Sequence, residues 1–491
     1  MKKNKNLSLY VKIGASKINI LIWYITSILL SSCIFVFLTP TPKAASTLNS
    51  TYYVDGDPGN DANPGTGARP FRTIQKCLDV VRAGDTCLIV AGTYNEGLIL
   101  KITGTLSAPI KLKCEAPLTC TVNSGGSRAL VTNGAISFYA IEGFRFISTY
   151  PSSNDPMTAT VNFGYSFWGD GATGERGNDG FVLRNCYVEG AVYFYGSDNL
   201  VENCELNGRG VVVNGLVERF QPSENNIFRN NVIHDYTERG GWTLQYTHNT
   251  LWSGNTIYNI GSNSGIDCDG AGHAVYGCNV IGNTIFNISE NGLLLENSFD
   301  STVDRNTIHD VSYGISVINY NKTNSDGFSS DNDYKGLMTN TVIRNNVIYN
   351  LSNDGLLCHA VRGNQFINNT IYNAKVQKTY FGAIGLTTYS DIGCPDWAVK
   401  DNIISQSANS VWLKSSTPLT MDGNYYSSFT AIVDDNGKTF AQWQALGFDV
   451  KGKIGNPLFV NPAIGDFHLQ SNSPACTAGE NGTYAGALPC N

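Results

Sequence analysis

Short apolar runs broken by turn residues recur through most of the chain, and they recur in register. Arg229-Asn230-Asn231-Val232-Ile233, Ser253-Gly254-Asn255-Thr256-Ile257, Ile281-Gly282-Asn283-Thr284-Ile285 and Asp304-Arg305-Asn306-Thr307-Ile308 share one pattern: a turn residue, an asparagine, and isoleucine two places on. Arg344 to Ile348 and Ile367 to Ile371 repeat it, while Arg184 to Val188 and Glu202 to Leu206 carry Cys186 and Cys204 at the asparagine position. Along this register the spacings are 18, 27, 24, 28, 23, 40 and 23 residues. A coil of roughly 20 to 25 residues accounts for them when the longer ones carry loops. Asparagines stacked roughly 4.8 Å apart pass amide hydrogen bonds along a ladder and satisfy the turn backbone.

A second run lies between the asparagine turns and opens on glycine. It reads Gly210-Val211-Val212-Val213-Asn214, Gly241-Trp242-Thr243-Leu244-Gln245, Gly265-Ile266-Asp267-Cys268-Asp269, Gly292-Leu293-Leu294-Leu295-Glu296, Gly314-Ile315-Ser316-Val317-Ile318 and Gly355-Leu356-Leu357-Cys358-His359. Period-two alternation turns the first and third residues after the glycine inward and the second and fourth outward. Together the two runs predict an all-β fold, a right-handed parallel β-helix solenoid over residues 47–415 in which each coil buries its apolar side against the next. Beyond residue 415 the repeat decays, and the segments Phe440 to Leu446, Gly455 to Phe459 and Asp466 to Leu469 predict a C-terminal cap over 416–491.

The start of the solenoid has its own signature. Tyr52-Tyr53-Val54-Asp55 begins a strand, Pro58 to Pro70 is a Gly/Pro/Asn-rich loop, and Phe71, Ile74, Leu78 and Val81 recur at helical spacing before Gly84-Asp85-Thr86, a strand to Val90 and Ala91-Gly92-Thr93-Tyr94. A short helix laid over the open first coil closes its apolar end. Residues 52 to 94 resemble the opening of many secreted β-helix proteins of the pectate-lyase-like superfamily. The resemblance implies the architecture; because that superfamily hosts many chemistries, it implies no single reaction.

Composition fits an exported solenoid. Charged residues are 15%, net charge is -7, and no basic run occurs after the first 50 residues, so a nucleic-acid partner, which needs a phosphate-neutralising stripe, is excluded. Residues 1–46 combine Lys2, Lys3 and Lys5 with an apolar stretch from Ile18 to Pro40, the pattern of a signal peptide or an N-terminal membrane anchor. Membrane contact is expected only there, and the product is expected to be secreted or cell-surface and monomeric. Cys33 lies in that segment and leaves 12 of 13 cysteines for the mature chain. This even number suits an oxidising destination. Cys77 with Cys87, Cys114 with Cys120, Cys268 with Cys278 and Cys476 with Cys490 are close enough in sequence to pair.

The outward positions hold the candidate chemistry. The fourth position after the glycine reads Asn214, Gln245, Asp269, Glu296, Ile318 and His359, and the second places Asp267 beside Asp269. Asp269, Glu296 and Asp267 are therefore the expected catalytic carboxylates, on two adjoining coils of one solvent-facing side. Gln245, Arg239, His273, Tyr246, His359 and Lys335 are the expected substrate-binding residues, and Tyr236, Trp252 and Tyr320 add rings for stacking on sugars. Paired carboxylates suit a glycoside hydrolase, with one as acid and the other as nucleophile or base. A polysaccharide lyase or uronan epimerase is the alternative. It would place Ca²⁺ on Asp267, Asp269 and Glu296 and take its base from Lys335, Arg239 or His273. A non-catalytic glycan-binding surface protein is the third reading. The Asn-Thr-Asp, Asp-Asp and Gly-His-Gly pattern of polygalacturonase-like enzymes and the Asp-Pro-His-Asp signature of alginate epimerases are absent from the sequence.

Overall fold

A computed structural model describes residues 49–149, 159–164, 178–214, 222–244, 246–270, 274–319, 339–375, 382–387, 393–414 and 418–491. The export segment expected at 1–46 lies outside them. Among the described residues no helix is long and apolar enough to cross a membrane.

The chain winds as a parallel β-helix. One face is a 14-stranded parallel sheet that runs from Thr51–Val54 to Thr420–Asp422. A 24-stranded sheet supplies the other two long faces, and a 4-stranded one fills a short fourth side. A coil such as 251–276 contributes Leu251–Ser253, Thr256–Ile260, Ser264–Asp269 and Val275–Tyr276 in turn, each paired in parallel with its counterpart one coil on. Parallel pairing continues past residue 415, through Tyr425–Tyr426 to Lys453–Ile454, so the stacking outlasts the visible repeat.

Two local devices set the coil. At the bend, the residue before each ladder asparagine has positive φ (Asn230 55°, Gly254 63°, Gly282 66°, Arg305 54°, Asn345 57°). The asparagine itself is buried. Asn231, Asn255, Asn283, Asn306, Asn346, Asn369, Asn402 and Asn424 each donate Nδ2 to the next member's Oδ1 at 2.8–3.1 Å. Asn402 and Asn424 extend the expected ladder, and Asp449 ends it, also accepting from Tyr426 Oη and Trp443 Nε1. The strand-opening glycine is fixed by close approach. A Cβ on Gly265 would meet Ile285 Cγ2 at 2.5 Å and the Gly292 carbonyl at 2.7 Å.

A short helix covers the N-terminal end. The helix Ile74–Leu78 buries Ile74, Cys77 and Leu78, Glu96 accepts the Ile74 and Gln75 N–H groups, and Cys77–Cys87 ties the helix to the second strand. All four expected disulfides are formed, and a fifth joins Cys358 to Cys394. Cys186 and Cys204 are buried free thiols that occupy the first two ladder positions. An outer ring stack, His234, Tyr258, Phe286, His309 and Tyr349 at 4.6–5.1 Å, continues onto Phe467 of the C-terminal tail.

Candidate active site

The carboxylates sit where two neighbouring strands present their outward positions. Ile266 and Cys268 are core residues, so Asp267 and Asp269 point away from the core, as does Glu296 after Leu295. Register pairs Asp267 with Leu294 and Asp269 with Glu296, so the Asp269 and Glu296 Cα atoms are neighbours across a parallel ladder, roughly 4.8 Å apart. The expected juxtaposition is present.

Their surroundings differ from expectation. Alternation assigns these positions to solvent, yet Asp267 is 0% exposed and Asp269 and Glu296 are each 6%. Facing away from the core is not the same as facing water. Arg239, 20% exposed, donates Nε to Asp267 Oδ2 at 2.5 Å, and its guanidinium lies 4.3 Å above the Trp242 ring. Asp267 Oδ1 has no hydrogen-bond partner among the described residues. Burial pushes the Asp267 carboxyl well above the usual carboxylate range. The Asp269 charge adds to the push and Arg239 opposes it.

The strand Arg239–Leu244 corrects the alternation. Thr243, not Trp242 or Leu244, points inward. It pairs with Cys268, is fully buried and accepts the Trp252 Nε1 hydrogen at 2.9 Å. The Gly240-Gly241 doublet caused the slip. Gly240 is the register glycine, stacked on Gly265, while Gly241 takes an inward position because the Trp252 indole fills the space, 2.5 Å from where its Cβ would be. Leu244 therefore stands beside Asp269 in the outward column, and the position assigned to Gln245 shifts by one. Trp252, expected as a solvent-facing ring, is 0% exposed.

The other expected binding residues divide. Arg239 joins the acids. His359 shares their column two coils beyond Glu296, across Ile318, and burial lowers its pKa, which favours the neutral ring. Tyr246 is a half-buried corner residue at φ 56°. Gln245, His273, Lys335 and Tyr320 lie outside the described residues. The Ca²⁺ set does not fit: Asp267 is fully buried and held by Arg239, and among the described residues no three acidic, His or Cys groups could hold a metal ion. Sequence reasoning missed Trp242, which the glycine doublet could have revealed. It also missed Asp354, a fully buried acid whose Oδ1 accepts Gly382 N–H at 2.9 Å.

Known proteins share this architecture. Residues 174–330 match a family model described as right handed beta helix region, and residues 58–134 match one described as protein of unknown function (DUF1565). The fold is a right-handed parallel β-helix. Among solved structures, a GH136 lacto-N-biosidase from Eubacterium ramulus superposes with TM-score 0.51 at 12% identity, covering 71% of this chain and 67% of that one. A PL6 family alginate lyase, AlyGC in a mutant form, superposes with TM-score 0.50 at 13% identity, covering 85% and 56%. The uncharacterized protein YwoF of Bacillus subtilis (strain 168) is 34% identical over 93 residues, which is 18% of this chain and 20% of the relative. At these identities the superpositions establish the fold alone.

Proposed function

We propose that this chain is an extracytoplasmic enzyme acting on a polysaccharide or oligosaccharide, with Asp269 and Glu296 as its reacting groups. The observation that carries the reading is the pairing of two carboxylates on adjacent strands, in a column whose neighbouring members are Leu244, Ile318, His359 and Thr387. Packing alone asks for no ionisable group there.

Glycoside hydrolysis is the reaction this pair runs with least further machinery. The protonated member gives its proton to the glycosidic oxygen as the C–O bond breaks, and the ionised member bonds to the anomeric carbon. Water then releases the sugar, with the first residue now acting as base. Carboxyls as close as strand neighbours suit the retaining course rather than the inverting one. An uronate lyase or epimerase is the second reading. It is favoured by the Arg239 cation beside the acids, since such reactions need positive charge against a developing carboxylate dianion. The lacto-N-biosidase and the alginate lyase on this fold illustrate both chemistries. A screen of neutral and uronate polysaccharides, read for reducing ends and for unsaturated ends, decides between them. Binding without either product would favour a glycan-binding protein instead.

A further inference from the structure

The corner before two strands of this face uses one device, and a third places a buried acid in the same position. The residue preceding the register glycine reaches the outward side chain two places after the glycine of the next coil. Arg239 reaches Asp267 in this way, and Asn291 Oδ1 accepts Ser316 Oγ–H at 2.6 Å. At Asp354 the position reached is Gly385, where an added Cβ would lie 3.2 Å from the carboxylate. Of the two side-chain latches, the first alone joins opposite charges, and it lies beside the proposed reacting pair.

Its geometry is closed on both sides. The guanidinium is held between the Trp242 ring and the Asp267 carboxylate, and Trp242 and Asp267 are themselves register partners. Asp267 has no exposed surface with which to meet a glycan. The charged and titratable residues on the packed strands are Glu205, Arg209, Arg239, Asp267, Asp269, Glu290, Glu296, His309, Asp310 and Tyr313, with His359 two coils beyond Glu296. Asp269 and Glu296 both act electrostatically on Asp267.

We propose that Arg239 and Asp267 are positioning residues, an internal ion pair in which the guanidinium holds the buried carboxylate ionised against its desolvation, so that the two charges cancel beside Asp269 and Glu296. The inference rests on the reading of Asp269 and Glu296 as the reacting pair, and it moves Asp267 out of the catalytic set. Cancellation has a direction. Without the Asp267 charge, the guanidinium favours the ionised forms of its neighbours, and the group that must keep its proton loses it at lower pH.

The test is a pH–rate profile on the full chain with whichever glycan the screen identifies. Asp267→Asn should move the basic limb of kcat down by about one to two pH units, the effect of a unit charge about 7 Å away, the spacing of alternate residues on a strand, at an effective dielectric of about 20. KM should change little, and kcat at the new optimum should stay within about tenfold of the parent, less than the loss of a general acid–base group brings. The double variant Arg239→Met/Asp267→Leu removes both charges and fills the space with apolar groups, which buried ion pairs often tolerate. It should restore the parental profile, and it carries the test if Asp267→Asn does not fold. Loss of several powers of ten in kcat at every pH in folded Asp267→Asn, or a double variant with the shifted profile, would overturn the inference. Activity that survives in Asp269→Asn and Glu296→Gln would instead defeat the reading beneath it.

Discussion

Asn283→Ala should be among the most damaging single substitutions in the solenoid. Asn283 is 1% exposed and its amide makes four hydrogen bonds. Nδ2 donates to the Trp252 carbonyl and to Asn306 Oδ1, both at 3.0 Å, and Oδ1 accepts the Asn255 backbone N–H and Asn255 Nδ2, both at 2.9 Å. At about 1 kcal/mol net for each buried bond, the loss is about 4 kcal/mol. Water cannot easily replace the amide between stacked coils, so the partners stay unsatisfied. Asn283→Asp makes a sharper companion, since it keeps the acceptor, loses both donors and sets a carboxyl against Asn306 Oδ1. Its folded-state pKa is therefore raised, and its deficit should grow as pH rises from the ordinary carboxylate range. Urea unfolding followed by circular dichroism measures both. The coils unfold as neighbours in a stack, so the transition can broaden as well as shift, and the midpoint and slope should be fitted together. An Asn283→Ala deficit below about 1 kcal/mol would show that the ladder contributes little beyond one ordinary hydrogen bond.

Asp354→Asn should leave stability near the parent in acid and raise it at neutral pH. Burial holds the Asp354 carboxyl well above its usual range, so the folded parent binds the extra proton and loses stability as pH rises through that window; a melting-temperature series from pH 4 to 8 that runs parallel for the two proteins would refute this. Thr243→Val should cost about 1 to 3 kcal/mol by stranding the buried Trp252 Nε1–H, read by denaturant midpoint. Among the twelve cysteines beyond Cys33, thiol titration of unreduced, denatured protein should find two, Cys186 and Cys204. Recovery of many more would mean that the five disulfides do not form.

The fold was legible because its repeat is stereochemical. A ladder asparagine needs another above it, and a strand-opening glycine needs to clear the isoleucine of the next coil, so each leaves a fixed mark in the sequence. The side-by-side placement of Asp269 and Glu296 followed from that register. What alternation could not supply was the environment outside the sheet. It gives the side on which Asp267 lies, but not that Arg239 covers it or that all three acids are shielded from solvent. The Gly240-Gly241 doublet left two registers open, and the volume of the Trp252 indole, set by a different face of the coil, chose between them. Asn402 and Asn424 stood apart from the expected ladder because the sequence between them lacks the regular Gly-opened run, although the amide stacking does not change.

The central claim is that Asp269 and Glu296 do the chemistry, and the most direct measurement compares the parent with Asp269→Asn and Glu296→Gln on the glycan that the parent attacks. The account predicts new reducing ends without unsaturated ends. Each amide variant should lose several powers of ten in kcat, at least the 10²–10⁴ that a general acid–base group supplies, with denaturation midpoints close to the parent's. Full activity in both variants would contradict it, and unsaturated ends that disappear on chelation would transfer the site to lyase chemistry.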